Sequence, residues 1–543
     1  MESAIEYSNN PSSNLHQLPA KKRLDLIINH ASPLKLVRGM AAPDLLLTIR
    51  ELGAESSLEL VEMMHPGQVQ ELLDLEIWSR DRLNIKNAGF YFSLLFEANR
   101  DTAIAQIHGL DIELIGLMFK TTTLIYDTTL GEEPDELPDL YSITPDRRFI
   151  VCFLAKDGYE GLARSLYTFL EELYGRDIAY ALRLLESVRF ELASGLEEES
   201  LRFRRNRLLD LGILPEDERL EYFSPLTPYD MKRVFLATDE KVPWQKAPVP
   251  VKTFCKDIDV RHPYLKAALL GASFERQEAF WSEVSHAFIN MYATLSGDFG
   301  DREHLGQVGD YVKFLLELGL FHRCQGQLAA AASSLEQSSG KYLIRFGRTM
   351  LVTMRKRLTE KAKDPSYVFG HNFCHADSPL REVALALSVG EPRFYEELLD
   401  VKKLTVRYFS TLTDFNATAL AINELIFRGG LVGKIGLDNI AESLKTHKHW
   451  SHANILAHCL VNSFLGQGDL LDPIKEETAA KIFEPDGGLT EEFKQAATEF
   501  FRSLEEKLRL DSTANAKEIS ERCQHLLTAL LIQFEQNWRL LIG

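Results

Sequence analysis

Four side chains that can bind a metal lie within seven residues of the C-terminal half of the chain. They are His371, Cys374, His375 and Asp377, and imidazole, thiolate and carboxylate are the ligands that zinc and similar divalent transition metals take. Structural zinc sites usually combine two separated ligand pairs. The residues that could supply a second pair are His447, His449, His452, His458 and Cys459. The spacing is therefore consistent with a metal site. The commoner alternative is that these histidines lie at the surface or at helix ends.

A second candidate is a run of charges in the N-terminal half. Its residues are Glu198, Arg202, Arg204, Arg205, Arg207 and Asp210. Glu198 and Arg202 are four residues apart and can pair along a helix. Clustered guanidinium groups can also bind carboxylate or phosphate in a bidentate manner. The run is interpreted either as a solvated helix face or as a site for an anion or an acidic partner.

Familiar catalytic motifs do not occur in the sequence. There is no phosphate-binding GxxxxGK[ST] loop, no GxGxxG after a strand, no GxSxG elbow and no HExxH helix. Cys374 beside His375 is weak evidence for a nucleophile, because catalytic Cys and His usually meet from distant parts of a sequence. The sequence therefore favours a binding role over an enzyme.

Composition limits the possible partners and the compartment. The 543 residues include 79 acidic and 61 basic side chains, and the formal net charge of -18 argues against a nucleic-acid partner. Six widely spaced cysteines indicate reduced thiols. Residues 1–18 are polar without an apolar signal core, which predicts a disordered tail. The apolar stretches are too short to span a membrane, so we expect no membrane insertion and a cytoplasmic location.

Prolines mark the starts of short helices between Lys21 and Asp127. Pro33, Pro43 and Pro66 suit the first turn of a helix. Apolar residues then recur at three- and four-residue spacing, which gives each helix one apolar stripe. Because a short helix with one stripe must stack on its neighbours, residues 19–130 are predicted to form a superhelical domain of helical hairpins.

The rest of the chain is predicted to be helical around one small β-hairpin. Residues 131–241 contain this hairpin at 140–153, with turn chemistry at Thr144-Pro145-Asp146, followed by long helices. Three prolines within 242–253 predict a linker. Residues 254–543 are predicted to form a helical C-terminal domain. Its helices are expected around 276–295, 308–322, 327–361, 379–400, 415–428, 451–465, 491–509 and 515–541. The predicted fold class is thus all-α (mainly α).

Four segments carry a resemblance to known families. Residues 35–130, which include Met64-His65-Pro66-Gly67-Gln68, resemble the helical hairpins of magnesium-transporter N-domains and of the flagellar motor-switch protein, whose motif is Glu-His-Pro-Gln. The segments 75–83, 144–149 and 197–212 resemble a bacterial family of large proteins of unknown function. That second resemblance implies a bacterial cytosolic protein and assigns no activity.

Together these features favour a helical scaffold or regulatory protein–protein interaction module whose partner is another protein. The alternative is a metal-dependent enzyme with a divalent transition metal bound by the His, Cys and Asp side chains of the C-terminal half. Nucleic-acid binding through residues 202–207 ranks last because of the overall negative charge.

Overall fold

The computed structural model describes residues 18–79, 81–154, 158–232, 260–296, 298–435, 444, 447, 449–467, 470–472, 474, 477, 480–511 and 515–542. The chain divides into two compact units, Met1–Arg345 and Phe346–Gly543. The fold is mainly α-helical with a few short strands, as the sequence predicts. The predicted linker at 242–253 and nearly all of the predicted tail lie outside the described residues, and the predicted domain limits stay predictions.

Short helices make up most of the first unit. Its α-helices are Ala20–Ile28, Pro33–Arg38, Ala42–Leu52, Leu58–Met63, Pro66–Glu76, Ile85–Ala98, Arg100–His108, Ile112–Thr122, Glu160–Arg176, Ile178–Phe190, Ala193–Asp210, Glu216–Tyr222, Pro228–Lys232, Pro263–Gly271, Phe274–Leu295, Arg302–Arg323 and Ala331–Glu336. Gly340–Lys363 begins in this unit and ends in the second. Pro33, Pro43 and Pro66 occupy the first turns of their helices, as predicted.

Two buried glutamines join successive helix pairs by the same contact. The Gln68 side-chain amide donates to the backbone oxygens of Val37 and Met40, both at 2.8 Å. The Gln106 amide donates in the same way to Val61 and Met64, at 3.0 and 2.8 Å. Carbonyls in the last turn of a helix have few partners within their own helix, and Val37 and Val61 each accept from the N–H three residues on, that of Met40 and of Met64. Each glutamine therefore gives these carbonyls a further hydrogen bond and fixes how its helix packs on the preceding pair.

The Met64-His65-Pro66-Gly67-Gln68 segment also has a local structural role. His65 and Gln68 form a capping box at the start of Pro66–Glu76, in which each side chain accepts from the backbone N–H of the other residue. Such boxes satisfy two of the donors left open at a helix start. Helix capping and the Gln68 contacts thus account for the His-Pro and Gln of this segment.

A three-stranded antiparallel sheet lies within the first unit. The predicted hairpin is confirmed as Tyr141–Ile143 paired with Phe149–Phe153, and the strand Thr123–Asp127 pairs with the other edge of Phe149–Phe153. The expectation of helix up to Asp127 is wrong, because the helix ends at Thr122. There the hydroxyls of Thr121, Thr122 and Thr123 donate to carbonyls four residues earlier. A second, two-stranded sheet pairs Trp78–Ser79 with Arg82–Leu83.

The second unit is built from longer helices. They are Leu380–Ser388, Leu412–Gly433, His452–Phe464, Glu491–Asp511 and Ala516–Ile542, with the short paired strands Phe394–Tyr395 and Val406–Arg407. Helical spacing of Phe493, Ala497, Phe500, Leu504 and Leu508 predicts an apolar stripe on Glu491–Asp511 that opens with Thr490 as N-cap. Phe493, Ala497 and Leu504 are buried in one apolar cluster, and Phe500 and Leu508 pack against it partly buried. Thr490 accepts from the backbone N–H of Phe493, which confirms the N-cap.

Two predicted helices are interrupted in the structure. The helix expected at 379–400 ends at Ser388, and a β-hairpin follows. Pro392 cannot donate a backbone hydrogen bond and disfavours helical backbone before it. The helix expected at 327–361 is divided into Leu328–Ala330, Ala331–Glu336 and Gly340–Lys363. The break coincides with Ser338, Ser339 and Gly340, which are weak helix formers.

Candidate functional site

The charged run lies on the helix Ala193–Asp210, whose two faces differ in environment. Glu198, Arg202, Arg205 and Asp210 are exposed. Arg202 lies 3.8 Å from Glu199, so its ion pair is with the residue three positions before it rather than with Glu198 as anticipated. The solvated-face interpretation therefore describes these four residues but not Arg204 and Arg207, which are partly buried.

Arg207 is a structural anchor between three helices. Its guanidinium binds Asp74 through Nε at 2.5 Å and Nη2 at 3.1 Å, and binds Asp111 through Nη1. The Asp74 carboxylate is 1% exposed. Burial raises the pKa of Asp74 even though Arg207 opposes that shift. The pair therefore holds a buried charge that would be unfavourable alone.

Arg204 extends the same contact towards a tryptophan. Its Nε donates to the backbone oxygen of Asp74 at 2.9 Å, and its guanidinium lies 5.5 Å from the centre of the Trp78 ring. Burial lowers the pKa of Arg204; the charges of Asp74 and Asp81 oppose this shift, and those of Arg219 and Arg205 add to it. Arg204 is thus close enough to both other arginines to be repelled by them.

These arginines line a cavity of about 810 Å³ in the first unit. The helix Glu216–Tyr222 supplies Arg219, whose Nη1 donates to the Leu214 carbonyl oxygen at 2.7 Å. The Arg219 Nε is buried and has no hydrogen-bond partner among the described residues. Burial also lowers the pKa of Arg219. The cavity therefore combines desolvated cations with an unused donor.

Three exposed carboxylates also line the cavity, and two of them oppose the lowering of the arginine pKa values: Asp81 acts on Arg204 and Glu216 on Arg219. Asp81, Glu216 and Asp217 line it and are solvent-exposed, whereas Arg204 and Arg219 are partly buried. Sequence reasoning missed Arg219 and Trp78 as site residues. A signal for Trp78 existed, because segments 75–83 and 197–212, which carry the resemblance to a family of unknown function, border this cavity together.

The proposed metal-ligand segment forms hydrogen bonds to the start of the helix His452–Phe464. His375 donates through Nδ1 to the Trp450 carbonyl oxygen at 2.7 Å, and its own carbonyl accepts from the His452 N–H at 2.6 Å. Asp377 accepts from the Ala453 N–H at 3.0 Å and from Arg428 at 2.9 Å. Burial opposes ionisation of Asp377, but His452, Ser451 and Arg428 together keep its pKa below the usual value.

The remaining candidate ligands have other environments. His371 is exposed and Cys374 is half-buried. The rings of His447 and His458 both stack on the Trp450 ring, with centroid distances of 4.0 and 3.7 Å, respectively. Among the residues that the structure describes, no group of three or more His, Cys, Asp or Glu side chains is placed to hold a metal ion.

An exposed apolar hairpin in the second unit was not anticipated from the sequence. Between Phe394–Tyr395 and Val406–Arg407 the chain exposes four large apolar side chains. They are Leu399 at 51%, Val401 at 79%, Leu404 at 67% and Val406 at 53% exposure. Lys402 and Lys403 are exposed between them. The sequence pattern did not indicate this hairpin, because residues 379–400 fit a helix and the exposed side chains of the hairpin are apolar rather than ionisable.

The base of this hairpin is held by ion pairs and ring contacts. Arg407 binds Asp414 at 2.8 and 3.1 Å and Glu396 at 3.1 Å. The Asp414 carboxylate is 1% exposed and belongs to the capping box that starts Leu412–Gly433. The Phe394 and Phe409 rings lie 5.8 Å apart. The hairpin is therefore fixed to a long helix while its tip faces solvent.

No single helix in the described part of the chain has both the length and the apolar composition needed to cross a membrane. The helices Arg100–His108 and Ile112–Thr122 meet that requirement only as a pair, and they are bent by 109° at their break.

The fold and these sites define a mainly α-helical protein of two compact units with a cation-lined cavity in the first and an apolar hairpin in the second. The chain belongs to the DUF6178 family, a family of unknown function, whose model matches residues 8–541. The predicted resemblance to a family of unknown function is thereby confirmed. Neither a curated protein nor a solved structure matches the chain, and the likeness to magnesium-transporter and motor-switch domains is not shown.

Proposed function

We propose that the protein is a helical protein–protein interaction module that binds its partner through the apolar hairpin of the second unit, residues 394–407. The observation that carries this proposal is four exposed apolar side chains within eight residues on a fixed base. Single exposed apolar residues are normal, but contiguous apolar patches mark interaction sites. The hairpin is the densest such run among the described residues.

Rigidity of the base supports a binding role. Because Arg407 is held by Glu396 and Asp414, the two strands at the base of the hairpin are fixed before it meets a partner. A preorganised loop loses less conformational entropy on association, and more of the apolar contact energy remains as affinity. Each Leu or Val that a partner buries contributes up to about 1.5–3 kcal/mol.

The charges on the hairpin indicate the chemistry of the partner. Lys402 and Lys403 lie among the apolar side chains together with one exposed acidic residue, Asp400, whereas the chain as a whole has a formal net charge of -18. A partner segment with an apolar face bordered by carboxylates matches this local surface. Rim charges of this kind increase the association rate and select the partner more than they add affinity.

Capture from a lysate of the native host at modest salt tests the proposal. Wild-type protein is compared with the double variant Val401→Ser, Leu404→Ser, and the matched control is Leu510→Ser, an exposed leucine of the same unit at 87% exposure. The partner is expected with wild type and control. Its affinity for the double variant should fall by about thirtyfold, since truncating a central apolar contact costs roughly 2 kcal/mol.

Three results would contradict the proposal. The first is capture of no protein by wild type, and the second is equal capture by wild type and the double variant. The third is light scattering that shows wild-type dimers and double-variant monomers, since the hairpin would then contact a second copy of the chain instead of an acidic partner.

A further inference from the structure

We propose that the arginine-lined cavity of the first unit binds a small phosphorylated molecule, with the phosphate held by Arg205 and Arg219 beside Arg204 and Trp78. The site is independent of the hairpin and lies in the other unit. Its volume of about 810 Å³ falls in the range of roughly 300–1,000 Å³ that small-molecule sites occupy.

The available donors come from Arg205 and Arg219. Neither side chain makes an ion pair with a residue in the described part of the chain, although both line the cavity. Arg219 is held in place by its Nη1 bond to Leu214, and its buried Nε has no acceptor among described residues. A buried donor without an acceptor destabilises the folded chain. An anion in the cavity attracts this guanidinium and offsets part of that destabilisation.

The number of arginines around the cavity favours a phosphate over a carboxylate as the ligand group. Arg204, Arg205 and Arg219 are near enough for Arg204 to be influenced by the other two. One carboxylate is matched by a single bidentate arginine, whereas a phosphate monoester carries about -1.5 to -2 charge and three acceptor oxygens. Three arginines around one cavity are therefore better matched to a phosphate.

The exposed carboxylates indicate the rest of the ligand. Asp81, Glu216 and Asp217 line the same cavity and are exposed. Asp81 is close enough to act on the charge of Arg204, and Glu216 on that of Arg219. A molecule that carries both a phosphate and hydroxyl groups gives acceptors to the arginines and donors to the carboxylates. The ligand class is thus a hydroxylated phosphate monoester, such as a sugar phosphate.

Titration calorimetry on the full-length protein tests this inference. The probes are ribose 5-phosphate, inorganic phosphate and succinate at matched ionic strength. We expect ribose 5-phosphate to bind most tightly. Arg205→Gln and Arg219→Gln should each weaken that binding by about ten- to a hundredfold, because a hydrogen bond to a charged group contributes roughly 1.5–3 kcal/mol. Arg205 is exposed, so its variant reports binding without affecting the fold.

The matched control is Arg202→Gln, on the same helix but with its side chain exposed and paired with Glu199; it should bind like wild type. The inference is overturned if ribose 5-phosphate gives no heat at millimolar concentration, or if Arg205→Gln and Arg219→Gln bind like wild type. Equal affinity for succinate would assign a carboxylate site instead. Equal affinity for inorganic phosphate would mean an adventitious ion only.

Discussion

The helix Ala193–Asp210 and the segment 371–377 are both rich in ionisable residues, yet the fold uses them differently. In the helix, the backbone satisfies its own hydrogen bonds, and Arg205 remains available to a cavity. In 371–377, His375 and Asp377 bond to backbone groups around residues 450–453. An irregular segment and a helix start both have backbone groups that need partners. Ligand-type residues in such segments are therefore first candidates for structural bonds.

Breaking the buried ion pair of the first region should have the largest effect. Arg207→Ala leaves the Asp74 carboxylate, 1% exposed, without its main partner. Removing one partner of a buried pair costs about 3–5 kcal/mol. Amide hydrogen exchange in the helices Pro66–Glu76 and Ala193–Asp210 should therefore be faster in this variant than in wild type.

The exposed arginine of the same helix provides the control for that prediction. Arg202→Ala should change stability by about 0.5 kcal/mol or less, because its pair with Glu199 is solvent-exposed. Similar exchange rates in both variants would show that the buried Arg207 pair and the exposed Arg202 pair contribute equally to stability, which contradicts the prediction.

Acid should destabilise both units through buried histidines. Burial lowers the pKa of His286 in the first unit and of His452 in the second to about 4. Because the neutral form is favoured in the folded state, this stability is present above pH 6.5 and is lost as the pH falls towards 4. The loss should reach roughly 3 kcal/mol for each histidine.

The two histidines can be separated by variants. In the His452→Gln variant, hydrogen exchange of the helix that spans residues 452–464 should respond less to acid. The helix Phe274–Leu295, which contains His286, should respond to acid as it does in wild type. Unchanged acid sensitivity of His452–Phe464 in this variant would argue against burial of a neutral His452 as the cause.

Local patterns in the sequence predicted much of the fold. The stripe of Phe493, Ala497 and Leu504 and the Thr144-Pro145-Asp146 turn depend on neighbouring residues, and both predictions are confirmed. The strand Thr123–Asp127 was missed because its partner, Phe149–Phe153, follows a long connection. Spacing along the chain does not show such a pairing.

The cavity was even less accessible from the sequence. Arg204 and Arg205 were identified as candidates, but their approach to Arg219 and Trp78 depends on how separate helices and a small sheet pack. The burial of Arg204 and Arg207 could not be read from their helix alone. That helix has no continuous apolar stripe to indicate an inward face, since only Leu196 and Ser200 are buried in it.

A milder change in the second region should separate charge from hydrogen bonding. Asp377→Asn keeps an oxygen for the Ala453 N–H but removes the charge opposite Arg428. Arg428 retains Glu424 at 2.7 Å, so the expected loss is about 1–2 kcal/mol. Asp377→Ala removes both interactions and should lose more in the same denaturant unfolding measurement. Equal losses would assign the effect to the ion pair alone.

The smallest effect is expected at His371. This imidazole is exposed, and its neighbours His375 and Asp377 are engaged with Trp450, Ala453 and Arg428. His371→Ala should therefore change stability by about 0.5 kcal/mol or less. Elemental analysis of untagged, exhaustively dialysed protein provides the decisive measurement, with His375→Ala as the comparison. We expect the metal content of wild type and both variants to be equally low. A stoichiometric transition metal that is lost in both variants would show that segment 371–377 binds metal in addition to supporting the helix His452–Phe464. The contrast between the two regions would then be one of ligand type, because both would combine structural contacts with a binding site.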